Sequence, residues 1–229
     1  MSEAMEHCKM TEQLISTKYK VYETRNRIFF ANFNSQYDLA MHFLRYQEFY
    51  ESPFIHFKGK TWHIVDFMDH YRIKHKLDYF SYPEDWGGFN IPSYVFEKVW
   101  KLGIPDPNRY DEEMTKIYEY CKSQAKGQSF YLIGAVGKGG AFPHEMAHGF
   151  FYTNLKYRRK MQKLVENLNP EFKETFFRYL QKHYHKYVWV DEAQAYLSTG
   201  MPEGFDIPTN GAEIPFKKVF KEAYKKGRV

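Results

Sequence analysis

Ser129-Phe130-Tyr131-Leu132-Ile133-Gly134-Ala135-Val136 is an apolar run of strand length. Pro143-His144-Glu145-Met146-Ala147-His148 follows it, after a turn containing Gly137, Gly139 and Gly140. Pro143 suits the first turn of a helix, where its missing N–H costs nothing. On that helix residues 144 and 148 share one face, so both imidazoles can reach one cation. Glu145 stands beside them, where it can take a proton from a water on that cation without being a ligand. Ala141, Phe142, Phe150 and Phe151 flank the pattern and predict a buried helix. The bland alternative is a core helix with two incidental histidines, but adjacent buried imidazoles without a ligand or partner are costly.

Two neutral histidines with an open position suit zinc, which at a catalytic site takes a third protein ligand and a water. The stretch Trp189-Val190-Asp191-Glu192-Ala193-Gln194-Ala195-Tyr196-Leu197 predicts a helix ending at Gly200, with Glu192 as that third ligand. Asp191, His183 and His185 are the alternatives. An acidic pair at a helix start also serves the helix dipole. Ala195 allows close packing against the histidine helix. Tyr196, one turn beyond Glu192, can donate to a developing oxyanion or can be an ordinary core tyrosine.

His144, Glu145, His148, Glu192 and Ala195 together resemble the zincin metallopeptidases of the gluzincin type, which use HExxH and a Glu on a later helix. The resemblance spans roughly residues 129–200. It implies an α+β domain, mostly helical, with a small sheet whose edge strand precedes the HExxH helix and binds extended peptide by strand addition. On the residues alone, the 129–136 strand reads equally well as a central strand with no free edge. The Asp that often stands four residues after the ligand Glu is Tyr196 here. Asp191 or a backbone carbonyl would then hold a ligand histidine.

Upstream the patterns are plainer. Residues 27–33 read as a buried strand. Ser35 predicts a helix cap, with Leu39, Phe43, Tyr46 and Tyr50 at helical spacing. Glu48 and Glu51 at i, i+3 read as a solvated face rather than a paired acidic site. Thr61 predicts a cap for a second helix. Residues 78–92, with Pro83, Gly87, Gly88 and Pro92, read as an aromatic-rich loop, a candidate lid or cleft wall. Ser93 and Asp111 open further helices. Gly134-Ala135-Val136-Gly137-Lys138-Gly139 lacks the Ser or Thr that a phosphate loop needs after its Lys, and is rejected as one.

The 229 residues suit one domain, with residues 1–20 loose at one end. Phe, Tyr and Trp make 20% of the chain, which predicts a dense aromatic core. The last thirteen residues, 217–229, hold six Lys or Arg and one Glu, and the rest of the chain is neutral with 27 of each sign. The net charge of +5 therefore describes a basic tail, read as a solvated helix end, and no nucleic-acid face is expected. No apolar run reaches membrane-spanning length and no secretory signal is visible. Only Cys8 and Cys121 occur, which fits a reducing compartment, and the expected location is cytoplasmic. Cys121 reads as a buried apolar group.

The expectation is a hydrolase holding one zinc through His144, His148 and Glu192, with Glu145 as general base. It would act as a metallopeptidase of narrow range on a peptide or small amide. A non-peptidase zinc amidase or deacylase, and a non-catalytic metal-binding protein, are the alternatives.

Overall fold

Five short strands form one mixed sheet: β1 (Leu14–Ile15), β2 (Tyr19–Arg25), β3 (Ile28–Phe33), β4 (Gly88–Pro92) and β5 (Tyr131–Val136). Their spatial order is β1-β2-β3-β5-β4 in a computed structural model that describes residues 13–202 and 204–226. Strands β3 and β5 run parallel, Ile28 to Phe33 against Tyr131 to Val136, and β4 pairs antiparallel with β5.

The segment between the parallel pair contains β4 and five helices: α1 (Gln36–Glu51), α2 (Ile64–His75), α3 (Tyr82–Asp85), α4 (Ser93–Leu102) and α5 (Arg109–Gln124). After β5 come α6 (Ala141–Thr153), α7 (Leu155–Glu166), α8 (Pro170–Leu180), α9 (Trp189–Thr199) and α10 (Ile214–Lys226). The result is α+β.

Alternation along the strands sorts these helices into two layers. Phe29, Ala31, Phe33 and Leu132 face a core shared with α1 to α5. Ile28, Phe30, Tyr131, Ile133 and Ala135 face the other core, with α6 to α10. Aromatic rings dominate both, as the composition predicts; Tyr46, Phe43, Phe29 and Phe30 are fully buried. Gly149 lets α6 approach the sheet, because a Cβ there would stand 2.8 Å from Ile28 Cδ1.

Strand β5 is not the sheet edge that the resemblance implies. It is buried from Tyr131 to Ala135 and lies between β3 and β4. A near-continuous apolar run is what an internal strand covered on both faces requires. The edge beside α6 is β4, inside the stretch expected to be loop. Its Gly88 and Pro92 read as breakers, yet an edge strand tolerates both at its ends.

Ser35 caps α1, its side chain accepting from Asp38 N. Helix α2 starts at Ile64 rather than near Thr61; Asp106, distant in sequence, accepts from Ile64 N at 2.9 Å. Asp106 is itself held by Arg45, whose guanidinium is buried and also donates to the Trp62 carbonyl and to Asp111. This network ties α1 to the starts of α2 and α5. Glu48 and Glu51 are not a solvated face: both are only 6% exposed. Cys121 is buried, as expected. In the N-terminal stretch expected to be loose, Leu14–Ile15 and Tyr19–Lys20 are sheet residues, and residues 1–12 lie outside the described ones. Residues 217–226 of the basic tail belong to α10, and residues 227–229 lie outside the described ones.

Candidate metal centre

Helix α6 lies against β4 and β5 and crosses α9. Ala195 is fully buried, as close packing with α6 requires. The crossing brings His144 and His148 of α6 to Glu192 of α9. The two Nε2 atoms stand 3.1 Å apart. Glu192 Oε2 is 3.6 Å from His144 Nε2, and Glu192 Oε1 is 3.6 Å from His148 Nε2. Among the described residues, this is the one group of three or more His, Cys, Asp or Glu side chains gathered closely enough to share a cation. His183 and His185 are not part of it, and Asp191 is a neighbour rather than a member.

The donor set fits zinc. A tetrahedral ion with Zn–N and Zn–O distances of about 2.0–2.2 Å would put neighbouring donors roughly 3.3–3.5 Å apart. Glu192 is 1% exposed, and its Oε2 has no hydrogen-bond partner. Such a carboxylate oxygen, buried and unpaired, is costly unless a cation meets it. The His144 side chain is 17% exposed against 1% for His148, so solvent approaches the set from the His144 side.

Asp191 stands beside His148 as its ion-pair partner. Its Oδ1 lies 2.9 Å from His148 Nδ1 and accepts from Gln194 Nε2 at 2.9 Å. Gln194 Oε1 in turn accepts from the Tyr157 hydroxyl at 2.8 Å. A carboxylate on Nδ1 leaves Nε2 free to ligate. Burial disfavours the charged His148 ring, but Asp191 and Glu192 outweigh it and hold the His148 pKa well above its usual value.

Glu145 is buried, and one of its two oxygens is held by a hydrogen bond. Asn90 Nδ2 of β4 donates to its Oε2 at 2.9 Å. The Tyr131 hydroxyl donates to Asn90 Oδ1, which fixes the amide so that its NH2 faces Glu145. Glu145 Oε1 passes over Gly88, where a Cβ would stand only 2.7 Å away. Burial lifts the Glu145 pKa above the ordinary carboxylate value; His144, His148 and Asn90 oppose that, and Glu192 adds to it. A carboxyl raised in this way suits proton transfer near neutral pH.

Tyr196 stands over the set, its ring centroid 4.5 Å from that of His144. Its hydroxyl is paired with Tyr184 at 2.9 Å. From α1, Gln47 Nε2 donates to Glu51 at 2.5 Å, while Gln47 Oε1 accepts from Asn90 N at 3.2 Å. Burial, then the charges of Glu192, Asp191 and Glu145, hold the Glu51 pKa well above the ordinary range, with His148 opposing.

His144, Glu145, His148 and Glu192 are thus brought together, with Tyr196 beside them. Asn90, Gly88, Tyr131, Gln194, Tyr157, Tyr184, Gln47 and Glu51 complete the surroundings, and most of them carry no local signal of such a role. The chain matches no family model, no curated protein and no solved structure. No helix among the described residues is long and apolar enough to cross a membrane.

Proposed function

We propose that the protein is a zinc-dependent amide hydrolase, most simply a metallopeptidase of the zincin, gluzincin-like kind. The observation that carries this is the convergence of His144 Nε2, His148 Nε2 and the buried Glu192 carboxylate, whose Oε2 has no hydrogen-bond partner, next to a separately held Glu145. Zinc bound there would supply Lewis-acid polarisation of the amide carbonyl and lower the pKa of its water.

The chain's own residues then divide the remaining work. Glu145, aimed by Asn90 and Gly88, accepts the water's proton and passes it to the leaving amine. Tyr196 offers its hydroxyl to the oxyanion, and Tyr184 orients that hydroxyl. Asp191 keeps His148 in the ligating tautomer. β4 ends the sheet beside the site and is buried from Phe89 to Pro92.

A small-molecule amidase is favoured by one contact. Asn90 N, on that edge strand, is already satisfied by Gln47 Oε1, which leaves a peptide one donor fewer. Profiling on a fluorogenic peptide library, with Glu145→Gln as control, tests the enzyme reading. Glu145→Gln should retain the metal and lose turnover; turnover that survives it contradicts the base assignment.

A further inference from the structure

A cleft of about 610 Å³ lies between the end of α1, the loop after it, α4 and the turn before α9. Lys58, Lys98, Lys101, Tyr50, Tyr94 and Tyr187 line it. One wall is a file of rings that leads to the general base. Tyr50 and Tyr94 have centroids 6.2 Å apart, Tyr94 and Tyr152 are 6.4 Å apart, and Tyr152 and Tyr131 are 5.2 Å apart. The Tyr131 hydroxyl reaches Asn90, which holds Glu145. The other wall ends in Val188, one helical turn before Glu192. Burial, with added repulsion from Glu51, Asp191 and Glu192, raises the Tyr50 pKa well above normal, so that phenol lies within electrostatic reach of the carboxyl groups around the site.

Carboxyl groups and lysines stand at opposite ends of this path. At the inner end stand Glu51, Glu145, Asp191 and Glu192. At the outer end stand three lysines. Lys58 turns inward, donating to the Tyr50 carbonyl, and Glu48 and Glu51 are the carboxylates whose charge it feels. Lys98 and Lys101 are different. They are exposed, one turn apart on α4, and among the described residues neither forms an ion pair. Lys98 Nζ sits 4.8 Å from the Tyr94 ring centroid. Two exposed ammonium groups without an ion-pair partner, beside an aromatic wall, attract an anion to the outer end of the path.

We propose that this cleft is a substrate subsite for an anionic group, a carboxylate or a phosphate ester, on a peptide whose scissile amide lies at His144, His148 and Glu192. The location of the amide rests on the hydrolase reading above; the anion preference of the cleft does not.

The test is binding by zinc-loaded Glu145→Gln protein, which cannot turn substrate over. The probes are blocked alanine-rich hexapeptides with one Glu, one phosphoserine or one Gln scanned through every position, titrated calorimetrically. In at least one register the Glu or the phosphoserine peptide should bind about tenfold more tightly than its Gln counterpart, the size expected of a charge-assisted hydrogen bond. Which of the two binds better identifies the anion. The Lys98→Ala/Lys101→Ala variant, altered only at exposed positions, should lose that preference and its salt dependence while keeping its circular dichroism and zinc content. Equal binding of all three peptides, no binding of the anionic ones, or a preference that survives the double substitution overturns the proposal. Running the titration on Glu192→Ala as well separates the two ideas: a preference kept without zinc leaves the subsite standing even if the hydrolase reading fails.

Discussion

Asn90 Nδ2 of the edge strand β4 holds Glu145 Oε2 of α6 at 2.9 Å, although 55 residues separate them. Tyr131 fixes the amide's orientation, so the carboxylate has one oxygen restrained and the other directed over Gly88. Asn90→Ala should therefore leave zinc content unchanged and lower kcat by about 10²-fold, the loss that small misplacement of a reacting group brings. KM should move far less. Steady-state kinetics on any substrate from the library checks this; an unchanged kcat would remove Asn90 from the account.

Asp191→Asn should weaken zinc binding by about 10–100-fold, because a partner on the far nitrogen of a ligand histidine raises its basicity and fixes its tautomer. Competition with a chromophoric chelator reads the affinity directly. Saturating zinc should restore one equivalent, which distinguishes Asp191 from the ligand Glu192.

Glu48 makes folding stability depend on pH. Burial is the largest cause that raises its pKa, from an ordinary 4.5 to about 7, with Ser52, Tyr82 and Lys58 opposing. The folded chain binds this proton more tightly than the unfolded chain does. Stability from this group is therefore full below about pH 4.5 and falls as pH rises towards 7, by about 1.4 kcal/mol per unit and about 3 kcal/mol in all. Glu48→Gln should be more stable than wild type at pH 8, with the difference shrinking towards pH 5. Urea midpoints at the two pH values check the sign; a constant difference would contradict it.

Arg45 is buried among two carboxylates and two carbonyls. Arg45→Met should cost about 3–5 kcal/mol, since it strands the Asp106 and Asp111 charges. Replacing Asp111 by Leu in the same chain should recover part of that loss in urea unfolding.

What the sequence disclosed was local. His144, Glu145 and His148 are legible because helical spacing alone sets their relation, and Ser35 is legible as a cap because its partner Asp38 is one turn away. Glu192 needed the added knowledge that a zinc site takes a carboxylate from elsewhere. Asn90, Gln194 and Gln47 act through tertiary contacts that leave no period or spacing behind. Strand β4 was hidden by its own Gly and Pro. Glu48 and Glu51 misled in the opposite direction: polar residues at i, i+3 imitate a wet face, while α1 is covered nearly all round. The internal place of β5 was implicit in its unbroken apolar run, but which strands flank it depended on recognising β4.

The most direct check of the account is the zinc content of the purified chain beside that of Glu192→Ala, each dialysed against the same zinc buffer. The account predicts one equivalent in wild type and a large loss in the variant, with circular dichroism unchanged. A full equivalent in Glu192→Ala, or none in wild type, would contradict it.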